Sequence, residues 1–196
     1  MSASEKAITL LTQSDGYISS SEARTRGVSN KTLQRLAKRG LLVRLAQGLY
    51  ADPEVFPDRF RIAQYRCPKG VFSHETALFL HGFSDRDPFK LTMTIPSGWN
   101  TPLLKDDEMR FFYCRPQLAN LGVCEVEIQP GIRVRAYDIE RSICDCIKAI
   151  DKLDRDLVLT ALKQYAAGAA RNNAKLLGYA DALKMRDTMF RYLEVL

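Results

Sequence analysis

The chain has 196 residues, 46% of them hydrophobic and 27% charged, with a net charge of +6. That hydrophobicity excludes a disordered chain, and the length suits one medium domain or a small domain followed by a larger one. No apolar run approaches the roughly 18 residues of a membrane span, and the start MSASEKAITLL lacks a basic n-region and a long apolar stretch. The expectation is a soluble cytoplasmic protein with no membrane partner.

In chain order, Ser4–Gln13 reads as a first helix, with Ala7, Ile8, Leu10 and Leu11 as its apolar stripe and Ser4 as its N-cap. Tyr17 and Ile18 form a short extended piece. Ser19 and Glu22 have capping-box spacing and open a second helix, about 20–25, which Gly27 closes. Ser29 caps a third helix, Asn30–Arg39, ended by Gly40. Leu41–Leu45, a turn at Ala46-Gln47-Gly48, and Leu49–Ala51 predict a hairpin. Two short helices joined through a glycine turn and followed by a basic hairpin make a winged helix-turn-helix.

The segment 53–58, with Pro53 and Pro57, reads as a linker between a winged-helix domain at 1–52 and a larger domain at 59–196. In the second domain a helix is predicted at 59–66 and a short strand at 71–73. Ser73 caps a helix through 76–80, and strands follow at 90–96, 109–114, 123–128 and 132–137. The remainder predicts helices at 138–150, 155–167, 173–184 and 186–195. The fold class is therefore α+β, with a mixed second domain whose C-terminal half is helical.

Charge is the most informative feature. Residues 1–52 hold 8 Lys and Arg against 4 Asp and Glu, whereas the other 144 residues hold 21 against 19. Between Ala23 and Ala51 seven basic residues stand with no acid. In the third helix Leu33, Leu36 and Ala37 share one face. At 100° per residue Lys31, Arg35 and Lys38 lie opposite, flanked by Thr32, Gln34 and Arg39. A cationic face cleared of carboxylates suits the phosphates of a nucleic acid; arginine can pair with guanine and glutamine with adenine. The candidate DNA-binding residues are Lys31, Thr32, Gln34, Arg35, Lys38, Arg39 and, on the wing, Arg44. Tyr50 reads as core.

No catalytic, metal or cofactor site is legible. His74 and His81 are the only histidines and are seven apart, not the four of a metal-binding helix, so they read as cap or core. The cysteines, Cys67, Cys114, Cys124, Cys144 and Cys146, are odd in number and lack zinc or redox spacing, which reads as free thiols. Asp138 sits where an N-cap belongs. There is no phosphate loop, nucleophile elbow or dinucleotide fingerprint. The expectation is a protein that is not an enzyme and carries no cofactor.

Four blocks, in this order, resemble the AbiEi antitoxins of abortive-infection type IV toxin–antitoxin systems, which confer phage resistance. They are Gly40-Leu-Leu-Val-Arg44-Leu-Ala-Gln-Gly48-Leu-Tyr50, Val71-Phe-Ser-His74-Glu-Thr-Ala-Leu, Tyr137-Asp-Ile-Glu140-Arg141-Ser-Ile-Cys-Asp145 and Tyr192-Leu-Glu-Val-Leu196. The resemblance implies a transcriptional repressor that binds inverted repeats in its own promoter through the winged helix. It also implies a C-terminal domain that antagonises a nucleotidyltransferase-like toxin without a stable complex. Inverted repeats suit either a dimer or two monomers side by side. Two other readings stay open: a plain regulator whose second domain senses a ligand or dimerises, and a nucleic-acid-processing enzyme. Among the C-terminal cations Lys163, Arg171, Lys175, Lys184, Arg186 and Arg191, each is either solvated surface or an extension of the DNA-binding face.

Overall fold

Helix α1 (Ala3–Gln13) starts where Ser2 and Glu5 exchange hydrogen bonds, the Ser2 hydroxyl accepting from the Glu5 amide and the Glu5 carboxylate from the Ser2 amide. The cap is thus Ser2, not Ser4, because only Ser2 has a glutamate three residues on to reciprocate. The structure is a computed structural model that describes residues 2–100, 106–169 and 171–194. The chain divides into two compact units, Met1–Arg66 and Cys67–Leu196.

In the first unit, β1 (Tyr17–Ser19) leads into α2 (Ser20–Thr25) through the Ser19–Glu22 capping box. Gly27, at φ +77°, takes the left-handed turn that lets the Val28 amide return to the Ala23 carbonyl at 2.7 Å. Helix α3 (Asn30–Lys38) follows, capped by Ser29. Strands β2 (Val43–Ala46) and β3 (Leu49–Ala51) form an antiparallel hairpin, and β1 adds to its other edge, giving the order β1-β3-β2. Ala7, Leu10, Leu11, Ile18, Leu33, Leu36, Leu42 and Tyr50 bury together beneath the helices.

Helix α4 (Arg59–Arg66), predicted to open the second domain, belongs to the first unit. The Arg61 guanidinium lies 3.9 Å from the centroid of the Tyr17 ring and donates to the Ser14 carbonyl. The Tyr65 hydroxyl donates to the Gly48 carbonyl at 2.8 Å. The Tyr17 hydroxyl donates to the Phe56 carbonyl and accepts from the Asp58 amide. The proline-containing stretch read as a linker is therefore tied to the strand before it.

The second unit is built on a mixed five-stranded sheet: β4 (Val71–Phe72), β5 (Leu91–Pro96), β6 (Met109–Cys114), β7 (Val123–Gln129) and β8 (Ile132–Tyr137). Its order is β6-β5-β4-β8-β7, with β4–β8 and β5–β6 parallel and the other two pairings antiparallel. Helices α5 (His74–Leu80), α6 (Ile139–Lys148), α7 (Arg155–Ala167), α8 (Asn173–Ala182) and α9 (Arg186–Leu193) complete it. Leu78, Ile143, Ile147, Leu162, Leu176 and Met189 form the core among them. Helix α8 stops short of its predicted end because Lys184 turns to φ +58°; the predicted end of α9 at Val195 lies outside the described residues.

Candidate nucleic-acid interface

Helix α3 owes its position to local chemistry at its start. The Ser29 hydroxyl accepts from the Thr32 amide at 3.2 Å, and the Ser20 hydroxyl at the head of α2 donates to the Asn30 side chain. Leu33 and Leu36, at 0% and 1% exposure, fix its inner face. With those two leucines buried, the 100° step turns Lys31, Gln34, Arg35 and Lys38 outward, and Arg39, the C-cap, is exposed beside them. The first turn of α3 carries no acid, while Arg35 and Lys38 occupy the last, where cations complement the helix dipole.

Thr32 differs from the other predicted contacts. It is 8% exposed, and its hydroxyl lies 3.0 Å from that of Ser29. On the helical wheel it sits only about 40° from Leu36, so the same rotation that exposes Lys31 buries it. Arg44 is exposed on β2, paired in register with Tyr50, and its Nε donates to the Ala46 carbonyl. Tyr50 is core at 1% exposure. The structure thus brings Lys31, Gln34, Arg35, Lys38 and Arg39 onto one exposed helical surface and leaves Arg44 exposed on the hairpin.

Residues 5–51 match the model of a transcriptional regulator, the AbiEi antitoxin. The match spans the N-terminal quarter of the chain, and in that segment the chain is similar to the AbiEi antitoxin transcriptional regulators. The matched segment runs from within α1 to the end of β3 and contains all of the cationic residues above. The chain is also similar to the crystal structure of the RV2827C protein from Mycobacterium tuberculosis, at 12% identity and a TM-score of 0.65, over 91% of this chain and 71% of that one. At that identity the likeness concerns the fold. No curated protein matches the chain.

In the second unit the polar residues singled out from sequence are mostly tied within the fold. Asp138 caps α6, accepting from the Arg141 amide at 2.9 Å, and also receives the Tyr179 hydroxyl. Lys175 bridges Asp138 and buried Glu140 at 3.1 and 3.0 Å. Arg186 pairs with Asp181, and Arg191 donates to the Asp187 carbonyl. Lys163 and Arg171 are exposed. His81 bonds the Tyr137 carbonyl through Nε2 at 2.8 Å. Among the described residues no cluster of His, Cys, Asp and Glu is arranged to hold a metal, and no helix is long and apolar enough to cross a membrane.

Sequence reasoning missed the most deeply buried charges. Arg141, 1% exposed, donates from Nε to both oxygens of Asp145, from Nη1 to the Leu118 and Leu121 carbonyls, and lies over the Tyr137 ring. Burial pushes the Asp145 carboxyl up to about 6, with Arg141 pulling the other way. His74, at φ +53°, stacks on Phe112 with ring centroids 3.8 Å apart and bonds the Ser73 hydroxyl through Nδ1. The Ser73 side chain makes no cap for α5 and instead meets His74 and Thr94. Burial, reinforced by Arg141 and Arg110, lowers His74 to about 3 and keeps its ring neutral. The adjacency of Arg141 and Asp145 at i,i+4 was the one signal available for the ion pair.

Proposed function

We propose that the first unit is a winged helix that represses its own operon by binding double-stranded promoter DNA. In this reading α3 enters the major groove, with Lys31, Gln34, Arg35, Lys38 and Arg39 reaching base edges and phosphates. The β2–β3 hairpin is the wing, and Arg44 rests on the backbone. Thr32 supports the helix from beneath rather than touching DNA. The second unit serves as the antitoxin half, opposing a nucleotidyltransferase-like toxin without a lasting complex. The observation that carries the DNA-binding reading is the exposed α3 face, cationic and without a carboxylate, on an AbiEi segment.

The test is a gel-shift titration on the chain's own upstream DNA at two salt concentrations, with an unrelated duplex as control. Wild-type protein should prefer the upstream duplex and bind with steep salt dependence. The double variant Arg35→Glu, Lys38→Glu should bind far more weakly. If it loses two phosphate contacts, its log–log salt slope should be shallower by about 2. Unchanged affinity and slope in that variant would remove α3 from the interface. The antitoxin half is tested by expressing the second unit with the neighbouring toxin gene: restored growth supports it, and growth arrest refutes it.

A further inference from the structure

In the second unit, a cavity of about 430 Å³ opens between the ends of β5 and β6, the C-terminal half of α6 and the turn after α8. That volume falls in the range of small-molecule sites, roughly 300–1,000 Å³. Its charge is lopsided. Among the described residues, Arg115, Arg141, Lys148, Lys152 and Lys184 line it against a single carboxylate, Asp145, which is already engaged by Arg141. Arg115, Lys152 and Lys184 are exposed, and none has an ion pair among the described residues. A solvated surface normally intersperses acids among so many cations.

The wall is also built under strain. His74 and Lys184 line the cavity, and both hold left-handed backbone angles that side chains other than glycine and asparagine seldom adopt. Such conformations persist where the surroundings over-determine them and gather at ligand sites. His74 is 4% exposed, its ring is clamped between Phe112 and Ser73, and its Nε2 has no hydrogen-bond partner among the described residues. Tyr113, 53% exposed, offers an aromatic face among the lining residues.

We propose that this cavity binds a phosphate-bearing small molecule of nucleotide size. Arg115, Lys152 and Lys184 meet the phosphates, the Arg141–Asp145 pair fixes the inner wall, and Tyr113 supplies a stacking surface for a ring. The neutral His74 contributes a hydrogen bond rather than a charge. The site lies wholly within the second unit, so it stands apart from the DNA-binding reading.

Calorimetric titration of the full chain tests it, with inorganic phosphate, pyrophosphate, a purine nucleoside triphosphate and the bare nucleoside as probes, in low and moderate salt. Affinity should rise with phosphate number, fall with salt and vanish for the nucleoside. The variant Lys152→Glu, Lys184→Glu should keep the ligand-free melting temperature, because both side chains are exposed, and lose at least tenfold in triphosphate affinity. Arg115→Glu alone should reproduce part of that loss. Absence of phosphate-dependent binding would overturn the proposal, as would equal triphosphate affinity in wild type and variants. A loss of DNA affinity as large as that from reversing Arg35 and Lys38, with triphosphate binding intact, would overturn it too and assign these cations to a nucleic-acid surface.

Discussion

Replacing His74 by asparagine isolates what a buried neutral imidazole does to acid stability. Asparagine tolerates the left-handed backbone at φ +53°, so the change removes the ring without forcing the main chain to move. In the folded protein His74 takes up a proton only near pH 3, against an ordinary value of 6.5. Between those values the unfolded chain binds a proton that the folded chain refuses. Stability therefore declines as pH falls, at about 1.4 kcal/mol per pH unit, with a cumulative loss of about 3 kcal/mol by pH 4. Above pH 6.5 the contribution is constant. The assay is urea unfolding at half-unit steps from pH 7.5 to 4, followed by far-UV circular dichroism and by the fluorescence of Trp99, the single tryptophan. Arg141, Arg110 and Asp145 titrate or exert charge in both proteins, so the informative quantity is the wild-type curve minus the His74→Asn curve. That difference should slope below pH 6.5 and lie flat above it. Parallel curves down to pH 4 would refute the claim that the folded protein holds His74 neutral.

Three further outcomes follow from particular contacts. Ser19→Ala removes the hydroxyl that accepts from the Glu22 amide and should cost about 1 kcal/mol in thermal or urea unfolding of the first unit. Gly122→Ala places a Cβ 2.8 Å from that of Arg141 at a backbone φ of +79°; crowding and left-handed strain together should cost about 2 kcal/mol or more, read by the same urea titration. All five cysteines are free, and burial pushes the Cys67 and Cys144 thiols up to about 11 and 12. A disulfide-exchange reagent at pH 8 should label only half-buried Cys114 and Cys124 in native protein, and the other three only after denaturant is added.

What could be read in the sequence was what local chemistry decides. The Ser19–Glu22 box, Ser29 ahead of α3, Gly27 and Asp138 all behave as caps or turns because their partners lie within four residues. The cationic side of α3 was legible for the same reason, since a helix carries its own periodicity. The burial of Thr32 was not legible because a wheel shows angle without showing how wide the buried face is. The pairings between distant segments were not legible: β1 with β3 joins Tyr17 to Ala51, and β4 with β8 joins Phe72 to Ala136. The left-handed turn of His74 and the burial of Arg141 run against residue preference, and only the surrounding packing makes them affordable.

The attachment of α4 to the first unit has a practical bearing on how that unit is studied. Cutting the chain after residue 52 would remove the Arg61 cation from the Tyr17 ring, the Phe56 and Asp58 partners of the Tyr17 hydroxyl, and the Tyr65 brace under the hairpin turn at Gly48. A fragment ending at Arg66 keeps all four. Helix α4 is in effect a buttress to the hairpin's turn, and a hairpin held there by a tyrosine is stiffer than one free to sway.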